Sequence, residues 1–533
     1  MGDFIGTVYE TFSATKVRFS TKPGGSVSSG QLIELEDDNK NKYLGRVIST
    51  DRRNYLIDQD GAVQLSTLFS EENDLTSRDI GIRGEFQDFI ISTVEIIGRR
   101  TKKSKIFQRP RKPFRIGSKV YKASPEFLNE QLKLEGHSIE IGNFRDDNNV
   151  PIHIDLNELI SKHFSVLAMT GSGKSWTVSV IIEAIAKEYN IPILIFDAHG
   201  EYSSLKAPLD EKNEEAIRVA KRTRIFVAAD EHNRNRSDKM FREKFKFNRD
   251  STPLYVNITD LETYQIIHLL TSLFDLSEPQ SRILQANWTT VTNMPELKDS
   301  TSIEKIIKAL NEASEGVTRG DMAKNILNTK LKILHRSMAF IRKKSEQKAL
   351  KIDDLVRKEQ ISVIDMSGIE AIHQQALVAI LSSKILASRM KDEIPPLLLI
   401  LEEAHRYIPS GAINTASKPT IKRVAQEGRK FLMGMGIISQ RPSRLDDDVL
   451  SQCNSQIIMR LTNPNDQNYV KKVSEWVSEG DLDEIRSMIP GEAFIFGSSV
   501  PISLPIKVKN KITKHGGYTP DIIDEVDNPR YSN

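Results

Sequence analysis

The sequence predicts an α/β protein with a small β-barrel ahead of its main sheet and a run of helices inserted into that sheet. Three observations carry this reading. Short apolar runs alternate with helical patterns from Ser165 onward, several β-rich runs crowd the first hundred residues, and charge-rich helical patterns displace strands between Glu201 and Lys358. At 533 residues the chain exceeds the usual size of one core, so two or three domains are expected.

Taken in order, Gly6–Tyr9, Gln31–Leu35, Tyr43–Ser49 and Ile90–Ile97 read as strands between polar turns, and so many short strands suggest a barrel. The following segment RRTKKSKIFQRPRKPFR, 99–115, holds many cations and no carboxylate. It reads either as a solvated linker or as a contact to a phosphate backbone. Barrel and basic linker together are assigned 1–115.

The first part of the core is placed at 116–204. Two extended runs, Ser138–Ile141 and Pro151–Asp155, precede the apolar run Ser165–Met169, a helical pattern over Gly173–Tyr189 and a second apolar run, Ile193–Phe196. A helical subdomain is assigned to 205–358. Within it, Leu261–Leu276 sets Ile266, Leu269, Leu270 and Leu273 on one face, and Ile303–Ala313 is a second helix. The core resumes over 359–510 with the apolar runs Ile361–Ile364, Leu397–Leu401, Gly436–Ser439 and Gln456–Leu461. A tail, 511–533, follows and reads as frayed or as a brace on a neighbouring subunit.

Composition narrows the function. Hydrophobic residues at 38%, charged residues at 28% and a mean hydropathy of -0.38 describe a globular chain. No apolar stretch approaches the roughly 20 residues that span a bilayer, and Met1–Ile5 lacks signal-peptide features, so a cytoplasmic location without membrane contact is expected. The single cysteine, Cys453, excludes an internal disulfide and a cysteine-based zinc cluster; it reads as a small buried hydrophobe. A net charge of +3 does not by itself announce a nucleic-acid binder.

The strongest chemical signal is Ala168-Met169-Thr170-Gly171-Ser172-Gly173-Lys174-Ser175, set between an apolar strand and a helix. Such a P-loop turns backbone N–H groups and a helix N-terminus onto phosphate oxygens. Thr170, Gly171, Ser172, Gly173, Lys174, Ser175 and Trp176 are therefore the candidate nucleotide-binding residues, with Lys174 charging the β and γ phosphates and the Ser175 hydroxyl ligating Mg²⁺. A second signal is the strand Leu397–Leu401 ending in Glu402 and Glu403. Here Glu402 would orient hydrated Mg²⁺, and Glu403 would polarise the water that attacks the γ phosphate. Gln440, at the end of a third strand, is the candidate γ-phosphate sensor. Among the arginines, Arg429 is the first choice for a finger reaching into the next subunit's site, with Arg441 and Arg460 as competitors. Asp197, at a strand end, either supports Mg²⁺ or forms a structural turn.

Five motifs in this order resemble the HerA branch of the HerA/FtsK superfamily: HFSVL at 163–167 leading into the P-loop, DAHGEY at 197–202, EEAHRY at 402–407, EGRK at 427–430 and SQRPS at 439–443. The resemblance covers roughly Gly6–Lys509 and is strongest over Ile152–Gly497. It implies a RecA-like P-loop NTPase core with an N-terminal β-barrel and an inserted helical bundle, assembled as a homohexamer around a DNA-sized channel. It also implies ATP and Mg²⁺ as cofactors, movement along double-stranded DNA, and a partner enzyme: a NurA-like nuclease or, as in bacterial relatives, a sirtuin-like NAD-cleaving protein or another effector of anti-phage defence. Ala168 and Ala198 stand where the family commonly has glycine and proline, and Glu402 where the first acid is usually aspartate. The rival readings are an ATP-dependent assembly or signalling scaffold that activates a partner without productive translocation, and a secretion ATPase of the same superfamily.

Overall fold

The computed structural model describes residues 2–54, 88–101, 104–298, 300–315, 321–473, 477 and 479–517. Seven N-terminal strands, β1 (Phe4–Ser13), β2 (Lys16–Thr21), β3 (Leu32–Glu36), β4 (Lys42–Asn54), β5 (Asp88–Thr101), β6 (Ser104–Gln108) and β7 (Lys119–Lys122), form one antiparallel sheet in the order β2-β1-β7-β3-β4-β5-β6. Because β2 also pairs with β5, six of the strands close into a barrel and β6 rides outside as a flap. Alternation turns one face of each strand inward, and Val8, Val17, Phe19, Ile33, Val94 and Val120 fill the interior. The basic segment after Ile97 is thus partly strand, the end of β5 and all of β6, rather than a plain linker.

The second sheet has twelve strands. They are β8 (Ser138–Phe144), β9 (Asp147–Asp155), β10 (Phe164–Leu167), β11 (Ile193–Asp197), β12 (Thr223–Val227), β13 (Thr252–Pro253), β14 (Ile361–Asp365), β15 (Leu397–Leu401), β16 (Met433–Ser439), β17 (Ser455–Ile458), β18 (Glu492–Gly497) and β19 (Leu504–Val508). Their order is β13-β12-β14-β11-β15-β16-β10-β17-β18-β19-β8-β9. The strands from β13 to β17 run parallel, and the remainder form an antiparallel fringe. β10, β11, β14, β15 and β16 are buried along their whole length, which explains their unbroken apolar runs. Two hydrophobic clusters cover the two faces.

Strands β12 and β13 lie inside 205–358, so the core sheet reaches into the stretch that the sequence reads as helical. The helices Thr263–Phe274, Glu278–Thr292, Ile303–Ala313 and Asp321–Ser337 then pack on one another around the fully buried Trp288, whose indole N–H donates to the Leu261 carbonyl at 2.8 Å. Beyond β19 the chain stays ordered on its own core. The Ile512 and Thr513 N–H groups both donate to the buried Glu183 carboxylate at 3.0 Å, and Thr513 bridges to Pro208. This segment, to residue 517, is neither frayed nor free; the rest of the tail lies outside the described residues. Cys453 is buried and its thiol is pushed up by burial, in keeping with a packing role.

Barrel and core meet at a charged joint. Arg46 on β4 donates to Asp481 and Glu484 at 2.6 Å each, and Arg145 in the β8–β9 turn reaches Glu484 at 2.6 Å. The Arg46 guanidinium also lies 4.9 Å from the Phe494 ring centre.

Candidate functional site

Sheet order does most of the assembly. β10, β16 and β15 are neighbours, so the loop after β10, the residue after β16 and the acids after β15 emerge side by side at the carboxyl edge, where open α/β sheets place ligands. β11 and β14 continue the row, with Asp197 and Asp365 paired in register at their ends.

In the P-loop, Gly171 and Gly173 have φ of 81° and 97°, backbone that a side chain would strain. Gly173 caps the helix Lys174–Glu188 without a side-chain hydrogen bond, which leaves the first-turn amides of Lys174, Ser175 and Trp176 for an anion. A Cβ at Gly171 would project into open space, so the loop is a cradle with room in front of it. The helix is held by a buried face that includes Val178, Val180, Ile181 and Ile185.

Lys174 is 6% exposed, and its Nζ donates to Glu403 Oε1. Gln440 Nε2 donates to the same oxygen at 2.6 Å, while its own Oε1 accepts from the Thr170 hydroxyl. Thr170, Gln440, Glu403 and Lys174 thereby form one connected set spanning the P-loop and both adjacent strand ends. Glu403 has a φ of 51°, a sharp exit from β15 that turns its carboxylate toward Lys174. Burial raises its pKa, but the Lys174 ammonium outweighs burial and the carboxyl stays ionised below its ordinary range. Its second oxygen, Oε2, is buried without a hydrogen-bonded partner, although His405 Nδ1 lies 3.2 Å away. Burial lowers His405 to about 4, against the pull of Glu403, so its imidazole is neutral at physiological pH; Ser439 Oγ is also 3.2 Å from Nδ1.

Glu402 points the other way. Its Oε2 accepts from the Ala198 N–H at 3.1 Å, and burial plus the neighbouring Asp197 raise its pKa well above the usual range. Asp197 is itself raised to about 7 by burial and by Asp365. The two adjacent glutamates are therefore shifted in opposite directions, Glu403 down and Glu402 up, a division that marks sites doing acid and base work. Ala198 gains a use here, since proline at that position would have no N–H to give.

The Asp197 carboxylate accepts from the backbone N–H groups of His199, Gly200, Glu201 and Tyr202, at 3.3, 2.8, 3.1 and 2.8 Å, and so builds the turn after β11. Asp365 behind it is paired with the buried Arg249 at 2.7 Å. Trp176 turns its side chain away from the cradle, donating to the Lys509 carbonyl at 3.0 Å and packing near His515; only its backbone amide faces the loop. Arg429 is exposed in the 3-10 turn before β16, and its charge acts on Glu158 and His163, which lie at the opposite, amino edge of the sheet. The seven residues of β16 put it about 20 Å from Gln440, out of reach of its own chain's site. Arg441 is close enough for its charge to depress His405, and Arg460 borders the P-loop through its carbonyl, which accepts from Met169 N–H at 3.0 Å. Sequence reasoning gave no role to His405 or to the Ala198 amide; the only hint of the first was its place two residues after Glu403.

Comparison with known proteins agrees with this construction. The family described as the central domain of helicase HerA matches residues 139–385. A DNA double-strand break repair helicase HerA from Pyrococcus furiosus is 28% identical, over 96% of this chain and 93% of that protein. Its namesake from Sulfurisphaera tokodaii is 27% identical over 97% of this chain and 95% of its own length. Among solved structures, VirB4 of Thermoanaerobacter pseudethanolicus overlaps with a TM-score of 0.49 at 12% identity, covering 71% of this chain and 98% of that one. The ordered motifs, the geometry that unites them and relatives matched nearly end to end describe a P-loop ATPase that is similar to the HerA helicases over most of its length.

Proposed function

We propose that the chain is an ATP-driven translocase on double-stranded DNA that works as a homohexameric ring beside a partner effector enzyme. The observation that carries the ATPase chemistry is the connected set Thr170–Gln440–Glu403–Lys174 at the mouth of an amide cradle. In this reading the amides of the P-loop and Lys174 bind the phosphates, and Gln440 orients the attacking water while Glu403 takes its proton. When bound, Mg²⁺ would neutralise the charge that develops on the phosphates. Ser175 would be its ligand from this chain. Glu402, which accepts from the Ala198 N–H and lies beside Asp197, would orient the hydrated metal rather than hold it directly. Among the described residues no three His, Cys, Asp or Glu side chains cluster to hold a metal, which suits a cation carried mainly by phosphates and water.

Ring assembly is supported by Arg429. An exposed arginine at the edge opposite its own phosphate site is placed to reach a site on another subunit. The DNA assignment is supported by relatives whose names describe double-strand break repair helicases, and the effector, a NurA-like nuclease or a sirtuin-like defence protein, by the motif resemblance. Among the described residues no helix is long and apolar enough to cross a membrane. The deciding experiment is ATP turnover with and without duplex DNA. Stimulation by duplex is expected; turnover indifferent to DNA would favour a scaffold that activates a partner.

A further inference from the structure

We infer that the barrel carries a second duplex contact, a basic groove that grips the phosphate backbone outside the ATPase core. This rests on the translocase reading and names one surface that would serve it. The groove, about 590 Å³, runs between the β3–β4 turn and the segment that follows β6. Five cations line it, Arg99, Arg109, Arg111, Lys112 and Arg115, against two carboxylates, Asp37 and Asp38.

Both carboxylates are already occupied. Asp37 accepts from the Asn39 and Asn41 amides at 2.8 Å each and from the Asn41 side chain at 2.9 Å, so it organises its own turn. Asp38 is paired with Arg115 at 2.7 Å. Arg99 lies over the Tyr43 ring, 5.4 Å from its centre. That leaves Arg109, Arg111 and Lys112, which are exposed and stand in no ion pair among the described residues. Pro110 and Pro113 flank them and limit the backbone's freedom to collapse.

The aromatic residues select the kind of nucleic acid. Tyr43 and Phe114 pack edge to face at 5.5 Å and are 8% and 5% exposed. Neither offers a free ring face for a base to stack on, as single-strand binders require. Cations without stacking platforms fit the outside of a duplex, where contacts are to phosphate and carry no sequence preference.

The test is duplex binding by the full chain as a function of salt, for the unaltered protein and for Arg109→Gln/Arg111→Gln/Lys112→Gln. Each lost phosphate contact lowers the slope of log K against log salt by about 0.9, so a drop of two to three is expected, with affinity down about tenfold or more at low salt. DNA-free ATP turnover should be unchanged, which also reports that the variant folds; the single variant Lys112→Gln should lose about one in slope. If the unaltered protein binds duplex and the triple variant matches it in affinity and slope, the groove assignment is overturned while the translocase reading stands. If the unaltered protein binds no duplex, the translocase reading falls and the groove with it.

Discussion

Barrel and core sheet handle charge in opposite ways. In the barrel the interior is mainly apolar, and cations such as Arg109, Arg111 and Lys112 stand in solvent. In the core, Lys174, Asp197, Arg249, Asp365, Glu402 and Glu403 are all buried at one edge of the sheet, each held by a named partner. Burying an ion costs several kcal/mol unless a partner offsets it, so such a row depends on the partners that hold it. The contrast separates two kinds of work. Surface charge on the barrel is available for association, and buried charge at the strand ends is set for chemistry, while Arg46 and Arg100 are barrel cations committed to the core.

That division can be broken at either end. The largest effect belongs to the core: Glu403→Gln should lower ATP turnover by about a hundredfold or more while ATP binding survives, because a general base contributes roughly that much and the cradle is untouched. Mixing Glu403→Gln with Arg429→Ala chains comes next. Each alone should be nearly inactive, and mixed assemblies should recover part of the turnover; no recovery at any ratio would remove Arg429 from the neighbour's site. At the joint, Arg46→Ala should cost about 2 kcal/mol, read as a lowered Tm, since it deletes two hydrogen bonds to largely buried carboxylates. The smallest change is expected at the barrel surface. Arg18→Ala removes an ion pair to Glu10 whose partners are both about 40% exposed, and it should alter stability by less than about 0.5 kcal/mol.

What the sequence disclosed follows from where the information sits. β15 is read to the residue at Leu397–Leu401, and the helix Ile303–Ala313 likewise, because an uninterrupted apolar run and a helical stripe are local signals. The P-loop, Glu403 and Gln440 were legible for the same reason, each being a short motif with fixed flanks. Pairings between distant segments were not. β2 and β7 are six and four residues long, and the closure of β2 on β5 joins strands some seventy residues apart. Trp176 sits inside a phosphate-binding motif, yet its indole is claimed by Lys509 in the C-terminal segment. Nor could side-chain patterns expose the donor to Glu402, since the Ala198 N–H belongs to the backbone.

β16 has a mechanical meaning. It is hydrogen-bonded on both flanks, to β15 and β10, and such a strand neither stretches nor slides by small amounts. Arg429 stands just before one end and Gln440 just after the other. In the proposed ring, a pull on the arginine from outside would therefore work a lever whose far tip touches Glu403, so that events at one subunit border would be felt within the adjoining one without any loop having to move.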